Sequence, residues 1–317
     1  MKIPVFDLHC DTAYRLLEKG LYSKYSLRSN PFHIDLWRAS AFPAYVQCFA
    51  CFTSDQDSLS RKLTPEIAFQ LQKKILLEQI KSNNCLISFA HSADDIRVNR
   101  EAGKMSAILS IEGPAGFAYD PGKLEQLRAD GFCITTLGWN DANCLVGSHC
   151  CGGGLTKQGR EYVLRAQKLG MIIDVSHISD AGFWDVMDIT GTSIVATHSN
   201  SRNIFAHSRN VTDDMFNAIC QTGGVVGINL FTQFLGDNAT LDTVCDHILH
   251  LLDLDPEGKH IALGGDLDGC KSLPEGFDGI ESYPLLAECL LTRGLSYEMI
   301  MDIFWNNAME VFARCCT

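Results

Sequence analysis

The feature that most constrains the fold of this chain is an alternation of short apolar runs, rich in β-branched residues, with longer amphipathic runs. Repeated strand–helix units of this kind are typical of a parallel sheet that is covered by helices. Eight units predict an α/β fold, the (β/α)8 TIM barrel. The strand candidates are residues 3–9, 44–52, 105–111, 132–137, 171–176, 193–197, 224–229 and 261–265. The helical patterns include residues 65–81, 156–169, 212–221 and 241–252, with two closing helices within residues 283–312 that are separated by Arg293 and Gly294.

The length of the chain fits one barrel with insertions. A TIM barrel needs about 250 residues, and this chain has 317. We expect the longest insertion between the first two strands and another at residues 82–104, and residues 152–154, three glycines, read as a flexible loop. The sequence predicts a single domain over residues 1–317. An open doubly wound sheet is the alternative, but its G-x-G-x-x-G motif does not follow the first strand candidate.

Charge and cysteine content limit which partners and which cellular compartment are expected for this chain. The chain has 38 acidic and 26 basic residues, a net charge of −12, which argues against nucleic acid or an anionic membrane surface as a partner. No apolar run is long enough to span a membrane, and neither a secretion signal nor a GPI-type tail is recognised, so no membrane anchor is expected. The 14 cysteines are then expected to be mostly reduced thiols in a cytoplasmic protein.

Five of the eight strand candidates end in side chains that can bind a metal ion. In a TIM barrel, catalytic groups lie at the carboxyl ends of the strands. His9 and Asp11 are two residues apart, so they point to the same face of a strand, whereas Cys10 points away. A lone H-x-D is a weak signal, because a helix-capping Asp beside a core His gives the same pattern. The other strand ends supply Glu112, His177, His198 and the pair Asp266 and Asp268.

Together these side chains predict a site for two divalent metal ions. His9 and Asp11 would bind one ion and His177 and His198 the other, with Glu112 spanning both. Nitrogen and oxygen ligands without thiolate suit Zn²⁺, and Mn²⁺, Co²⁺ or Fe²⁺ would fit the same geometry. Such a pair of ions generates a bridging hydroxide near neutral pH, and a neighbouring carboxylate can move its proton.

At these residues the sequence resembles the membrane (renal) dipeptidase family, the metallo-dipeptidases of the amidohydrolase superfamily, and its bacterial members in particular. The matching segments follow the family's order along nearly the whole chain. They are residues 9–11, 111–113, 154–161, 170–177, 198–199, 208–214 and 264–269.

The resemblance implies a zinc-dependent exopeptidase that cleaves dipeptides, with two zinc ions per subunit held as the strand ends suggest. It assigns the role of acid and base to Asp266 and the binding of the substrate's C-terminal carboxylate to Arg209. It also leads us to expect a homodimer and tolerance of a D-residue at the C-terminal position. Where the renal enzyme has a substrate-contacting His, this chain has Trp139 or Asn140, which we therefore take as substrate-binding residues.

Several alternatives stay open at this point. Asp268 is the competitor of Asp266, and Arg202 is the competitor of Arg209, which could instead be a surface residue paired with Asp213 or Asp214. The same metal site could also serve a related amidohydrolase acting on N-acyl-amino acids or other small amides and esters, and a non-catalytic barrel is the remaining class.

The other histidines receive no part in the chemistry. His149 and His207 are placed in loops on the active-site side, where they could contact substrate, although lone loop histidines are more often solvated. Five more are expected to be structural, namely His33, His91, His247, His250 and His260.

Overall fold

The computed structural model describes residues 1–20, 23–57 and 62–316. Its strands, in chain order, are β1 Val5–Cys10, β2 Tyr45–Phe52, β3 Ile87–Phe89, β4 Met105–Glu112, β5 Phe132–Thr136, β6 Val146–Ser148, β7 Gly152–Leu155, β8 Ile172–Asp174, β9 Ile194–Val195, β10 Val226–Ile228 and β11 Ile261–Leu263. Its α-helices are α1 Thr12–Glu18, α2 Leu36–Ala39, α3 Pro65–Ser82, α4 Ala93–Glu101, α5 Leu124–Ala129, α6 Lys157–Lys168, α7 Asp180–Met187, α8 Asp213–Gln221, α9 Thr232–Leu235, α10 Leu241–Leu254, α11 Tyr283–Thr292, α12 Tyr297–Met301 and α13 Asn307–Cys315.

Eight parallel strands form the predicted TIM barrel. They follow the order β10-β11-β1-β2-β4-β5-β8-β9, and a parallel bridge between Ala196 and Val226 joins the last strand to the first. Each of the eight overlaps its predicted range and extends at most one residue beyond it, although several begin or end two residues inside it. The fold prediction is confirmed, and the eight carboxyl ends meet at one mouth of the barrel.

The helices begin where side-chain caps satisfy their first free backbone N–H groups. The hydroxyl of Thr64 accepts from the N–H of Ile67, and the hydroxyl of Thr156 accepts from the N–H of Gly159. Thr156 and Thr212 are therefore caps that precede α6 and α8, one residue outside the helices proper. The predicted break between the closing helices is also present, since α11 ends before Arg293.

Two segments outside the barrel differ from their simplest sequence interpretation. The insertion at residues 82–104 contains a strand–helix unit, and its strand β3 pairs in parallel with β4. The glycines at 152–154 are not a flexible loop but form β7, which pairs antiparallel with β6. Both strands of this hairpin need glycine. A Cβ on Gly147 in β6 would lie 1.9 Å from the carbonyl oxygen of Gly152, and Gly152 in β7 has a φ of +69°.

The apolar core leaves the mouth of the barrel to polar residues. One cluster joins residues from the barrel strands to the closing helices, and in it the ring of Phe6 lies 6.2 Å from Trp305 and 6.3 Å from Phe312, measured between centroids. These ring contacts pack the closing segment of the chain against strand β1. Among the residues described, no helix is long and apolar enough to cross a membrane.

Candidate metal centre

The first strand ends in an acid–imidazole pair that is almost fully buried. The Nε2 atom of His9 lies 3.4 Å from Oδ2 of Asp11. The other carboxylate oxygen of Asp11 is buried and has no hydrogen-bond partner among the described residues. Because a buried carboxylate oxygen without a partner is costly, this arrangement suits a bound cation.

Glu112, at the end of β4, faces two imidazole groups with its two oxygens. Its Oε2 lies 3.3 Å from Nε2 of His9, whereas its Oε1 lies 2.9 Å from Nε2 of His177 and 3.8 Å from Nε2 of His198. Burial, and then the nearby charge of Asp11, raise the pKa of this carboxyl to about 7. A carboxylate shared in this way has the geometry of a bridging ligand.

The rings of His177 and His198 present their Nε2 atoms to each other at 2.9 Å. Nδ1 of His177 donates to the side-chain oxygen of Asn140 at 2.9 Å. Nδ1 of His198 lies 2.7 Å from the hydroxyl of Thr197, whose own proton goes to the carboxylate of Asp174, so this ring also donates from Nδ1. Both rings then keep the Nε2 lone pair for a metal ion. Burial lowers the pKa of both imidazoles well below the usual value, which keeps them neutral.

Two buried carboxylates, to which sequence analysis gave no role, hold the strand ends. Asp7 accepts from the N–H groups of His9 and Gly265 at 3.0 and 3.1 Å, and also from the hydroxyl of Tyr283. Asp174 accepts from the N–H of Thr197 at 3.0 Å. The sequence signal is an acidic residue inside an apolar strand, two or three positions before a His that is a candidate metal ligand.

Asp266 and Asp268 have different surroundings. The carboxylate of Asp266 lies with ligand atoms of His9 and Asp11, all within 4.8 Å of one another. A Cβ on Gly269 would lie 2.2 Å from Oδ2 of Asp11 and 2.5 Å from Oδ1 of Asp266, so only glycine permits this close approach.

Asp268 instead uses both carboxylate oxygens in hydrogen bonds to the protein. Its Oδ2 accepts from the hydroxyl of Thr12 at 2.6 Å and its Oδ1 from the N–H of His33 at 2.7 Å. Burial raises the pKa of both Asp266 and Asp268 to about 6. His177, Asp266 and Asp268 all have positive φ angles, of 72°, 54° and 68°, a backbone strain that often marks functional sites.

Arg209 is a buried cation, only 3% exposed. Its Nη1 donates to the hydroxyl of Ser199 at 2.7 Å, while Nε and Nη2 are buried with no partner in the described part of the chain. Burial lowers the pKa of the guanidinium to about 10.

The competing interpretations of Arg209 do not match this geometry. Asp213 pairs with His250 at 2.8 Å, and Arg202 forms a two-pronged pair with Asp180 at 2.7 and 2.8 Å near the surface. Arg209 therefore keeps two donors without a hydrogen-bond partner among the described residues, while its guanidinium lies 5.7 Å from the centre of the Phe234 ring.

A cleft of about 590 Å³ opens onto this cluster, a size suited to a small ligand. Trp139 lines it, with its ring 5.0 Å from that of Phe52 and 6.3 Å from that of His177, between centroids. Asn140 lines it too, but its side-chain oxygen is engaged by two imidazoles, those of His177 and His149. The expectation of a solvated His149 ring is thus wrong, because both of its nitrogens are hydrogen-bonded.

The chain is similar in sequence to known dipeptidases. The sequence profile of the membrane dipeptidase family, peptidase family M19, matches residues 1–316. An uncharacterized dipeptidase of Schizosaccharomyces pombe is 30% identical over 342 residues, which cover 98% of this chain and 80% of that protein. Another uncharacterized dipeptidase of the same organism is 34% identical over 215 residues, which cover 66% of this chain and 53% of that protein, or about half its length.

Two solved structures share the fold. A metallo peptidase from Rhodobacter sphaeroides, liganded with a phosphinate mimic of the dipeptide L-Ala-D-Ala, has a TM-score of 0.88 at 23% identity, covering 99% of this chain and 100% of that chain. The dipeptidase AC, a metallo peptidase of family M19, has a TM-score of 0.89 at 24% identity, covering 100% and 99%. At these identities the likeness establishes the barrel and its connectivity.

Proposed function

The chain belongs to the membrane dipeptidase family, a family of metallopeptidases, and on that premise we propose that it hydrolyses dipeptides with two zinc ions bound at the barrel mouth. The observation that carries the proposal is the position of Glu112. Its two oxygens face His9 on one side and the pair His177 and His198 on the other. The rings of His9 and His198 are stacked with centroids 3.8 Å apart, so the two sides are adjacent. A carboxylate that offers one oxygen to each side is the arrangement that a two-metal hydrolase needs.

The residues present fit such ions. His9 and Asp11 would hold one ion and His177 and His198 the other, with one oxygen of Glu112 toward each. The donor set of imidazole and carboxylate suits Zn²⁺, and it also admits Mn²⁺, Co²⁺ and Fe²⁺. The chemistry that the ions supply when bound is Lewis acidity, which lowers the pKa of a shared water and polarises the scissile carbonyl.

Asp266 is the proposed proton carrier. Its carboxylate lies beside His9 and Asp11, and Asn229 donates to its Oδ2 at 3.1 Å, which fixes its orientation. The raised pKa of this carboxyl, about 6, lets it accept a proton from the attacking water and donate it to the leaving amine near neutral pH.

Arg209 is the proposed binding residue for the substrate's C-terminal carboxylate. Its Nε and Nη2 are buried without a described partner, and these two donors form the fork that matches a carboxylate. Because the arginine is fixed in the protein, the site would select substrates whose carboxylate lies one residue beyond the scissile bond. This requirement favours substrates with a C-terminal carboxylate, and the match to a dipeptidase family is the reason for proposing a dipeptide among them.

Further parts of the proposal come from the sequence and the relatives. The phosphinate mimic of L-Ala-D-Ala bound by the Rhodobacter sphaeroides protein supports tolerance of a D-residue at the C-terminal position. Trp139 and Asn140 line the cleft beside the metal ligands, where they would contact substrate. We also propose that residues 1–317 act as one catalytic domain in a cytoplasmic homodimer.

The test is a dipeptide library that compares L-L with L-D substrates, assayed with Zn²⁺, Co²⁺ and Mn²⁺ in turn. N-acetyl-amino acids serve as the competing substrate class, because they carry the same carboxylate but no free amine. We expect metal-dependent hydrolysis of dipeptides and its loss in Glu112→Gln. Preferential cleavage of the N-acetyl compounds would favour the related amidohydrolase, and no cleavage of either class with any metal would refute the proposal.

A further inference from the structure

A chain of hydrogen bonds connects His177 with the loop that carries Arg209. Nδ1 of His177 and Nε2 of His149 both lie 2.9 Å from the side-chain oxygen of Asn140. On the other side of its ring, Nδ1 of His149 lies 2.9 Å from the hydroxyl oxygen of Ser208, the residue before Arg209. One imidazole thus spans the gap between two loops that come from different strands.

The chemistry of the groups fixes the direction of each hydrogen bond. The amide oxygen of Asn140 carries no proton, so His177 donates from Nδ1 and His149 donates from Nε2. His149 then has a lone pair at Nδ1, which accepts the proton of the Ser208 hydroxyl. This pattern leaves the lone pair of Nε2 of His177 free for a metal ion. If the amide of Asn140 were flipped, its NH2 group would donate to Nδ1 of His177, and the ring proton would then lie on Nε2.

Both ends of the chain are held by the backbone. The N–H of His149 donates to the carbonyl of His177 at 2.9 Å, and the hydroxyl of Ser148 donates to the carbonyl of Asn140 at 2.6 Å. At the far end, Arg202 donates to the carbonyl of Ser208 at 3.0 Å. The ring of His149 is therefore clamped between two restrained segments.

We propose that His149 is a positioning residue that sets the distance between His177 and the guanidinium of Arg209, and so the length of peptide that the site accepts. The inference rests on the proposed function and deepens it. Arg209 has a second tether, since its Nη1 donates to Ser199, the neighbour of His198. A dipeptide has a fixed span between its scissile carbonyl and its carboxylate, and a displacement of about 1 Å at a positioning group can cost a factor of about 100 in kcat/KM.

The experiment compares His149→Leu with His149→Gln. Leucine removes both hydrogen bonds, while the glutamine amide keeps one donor and one acceptor on a side chain of similar reach. The carboxylate is bound equally before and during the reaction, so its displacement changes KM more than kcat. For L-Ala-L-Ala we expect His149→Leu to raise KM about tenfold or more with kcat within about threefold, and His149→Gln to restore KM to within about threefold.

Two more variants extend the test. Ser208→Ala removes only the far hydrogen bond at an exposed residue, so folding is not at risk, and we expect a smaller rise in KM of about threefold to tenfold. Asn140→Leu should weaken zinc binding about 10-fold to 100-fold, as measured by competition with a chromophoric chelator, while His149→Leu leaves it within about threefold.

The outcomes separate this inference from the proposed function. If the wild-type protein cleaves no dipeptide, the proposed function fails and the positioning role fails with it. If the wild-type protein is active, an unchanged KM in His149→Leu, or equal effects in the Leu and Gln variants, overturns the role of His149 alone. Zinc affinity that is unchanged in Asn140→Leu overturns the connection to His177.

Discussion

The Nη1 atom of Arg209 donates a hydrogen bond of 2.7 Å to the hydroxyl of Ser199. Ser199 directly follows His198, so this contact holds the buried guanidinium of Arg209 beside the strand end that carries His198. The Nε and Nη2 atoms of Arg209 have no hydrogen-bond partner among the described residues. A buried charge with unpaired donors destabilises the folded protein unless a ligand completes it. This expected cost in stability supports the proposed role of Arg209 in binding the carboxylate of the substrate.

Arg209→Met should therefore stabilise the free protein and disable it. The methionine removes two unpaired donors and a buried charge, so we expect the free energy of unfolding to rise by about 1–3 kcal/mol. Loss of a charge-assisted, two-pronged contact should raise the KM for dipeptides about 100-fold or more. Denaturant unfolding and steady-state kinetics measure the two effects.

Arg202→Met is the matched control, because Arg202 pairs with Asp180 near the surface. It should change KM far less than Arg209→Met, since Arg202 reaches the site only through the backbone of Ser208 and Asn210. A lower stability in Arg209→Met with an unaltered KM would contradict the binding role.

The different surroundings of Asp266 and Asp268 lead to a second prediction. Asp266→Asn should lower kcat about 100-fold to 10,000-fold with little change in stability, as expected for loss of a proton carrier. Asp268→Asn replaces an acceptor of bonds from Thr12 and His33, so we expect a loss of about 1–3 kcal/mol in stability. Zinc content is measured in both variants, and a larger fall in kcat for Asp268→Asn at full zinc content would reverse the assignment.

Sequence patterns predicted the parts of the site that depend on local periodicity. His9 and Asp11 were recognised because residues two apart share a face of a strand, and Glu112, His177 and His198 because they end apolar runs. The barrel followed from the same alternation. Once a TIM barrel is assigned, its strand order and its closure follow from the fold and need no further signal in the sequence.

The partners of the supporting groups could not be predicted, because they are distant in the chain. Asp7 is bonded to the hydroxyl of Tyr283, 276 residues away, and a register shift between Asp7 and Cys10 in the pairing of β1 with β2 is invisible in the sequence. His149 acquires its contacts from two other loops. A lone loop histidine carries no pattern that would show this.

Removal of the proposed metal ions gives a third prediction, in which Glu112→Gln is compared with the wild type in the metal-free state. Burial raises the pKa of the Glu112 carboxyl from 4.5 to about 7. A carboxyl with a raised folded-state pKa favours folding below pH 4.5, and this contribution is lost as the pH rises to 7.

Glutamine lacks this titration, so Glu112→Gln should gain stability relative to wild type as the pH rises from 5 to 7.5, by at most about 3 kcal/mol. Chelator-treated protein is unfolded in urea at several pH values. Glu112→Asp, which keeps the charge, is the control and should follow the wild type. A stability difference that is independent of pH would show that this carboxyl does not titrate in the metal-free protein.

Tyr283→Phe tests whether the buried contact to Asp7 supports the metal centre from outside it. The hydroxyl of Tyr283 donates to a carboxylate that also receives the N–H of His9, so its loss leaves a buried acceptor short of one donor. We expect a loss of about 1–3 kcal/mol in stability, together with weaker zinc binding, because His9 is held less firmly. Tyr162→Phe is the matched control, since its buried hydroxyl contacts Thr135 and, among the described residues, none of the proposed metal ligands. If both variants lose the same stability but only Tyr283→Phe binds zinc more weakly, Asp7 connects helix α11 with His9. If both variants bind zinc equally well, the contact between Tyr283 and Asp7 is purely structural.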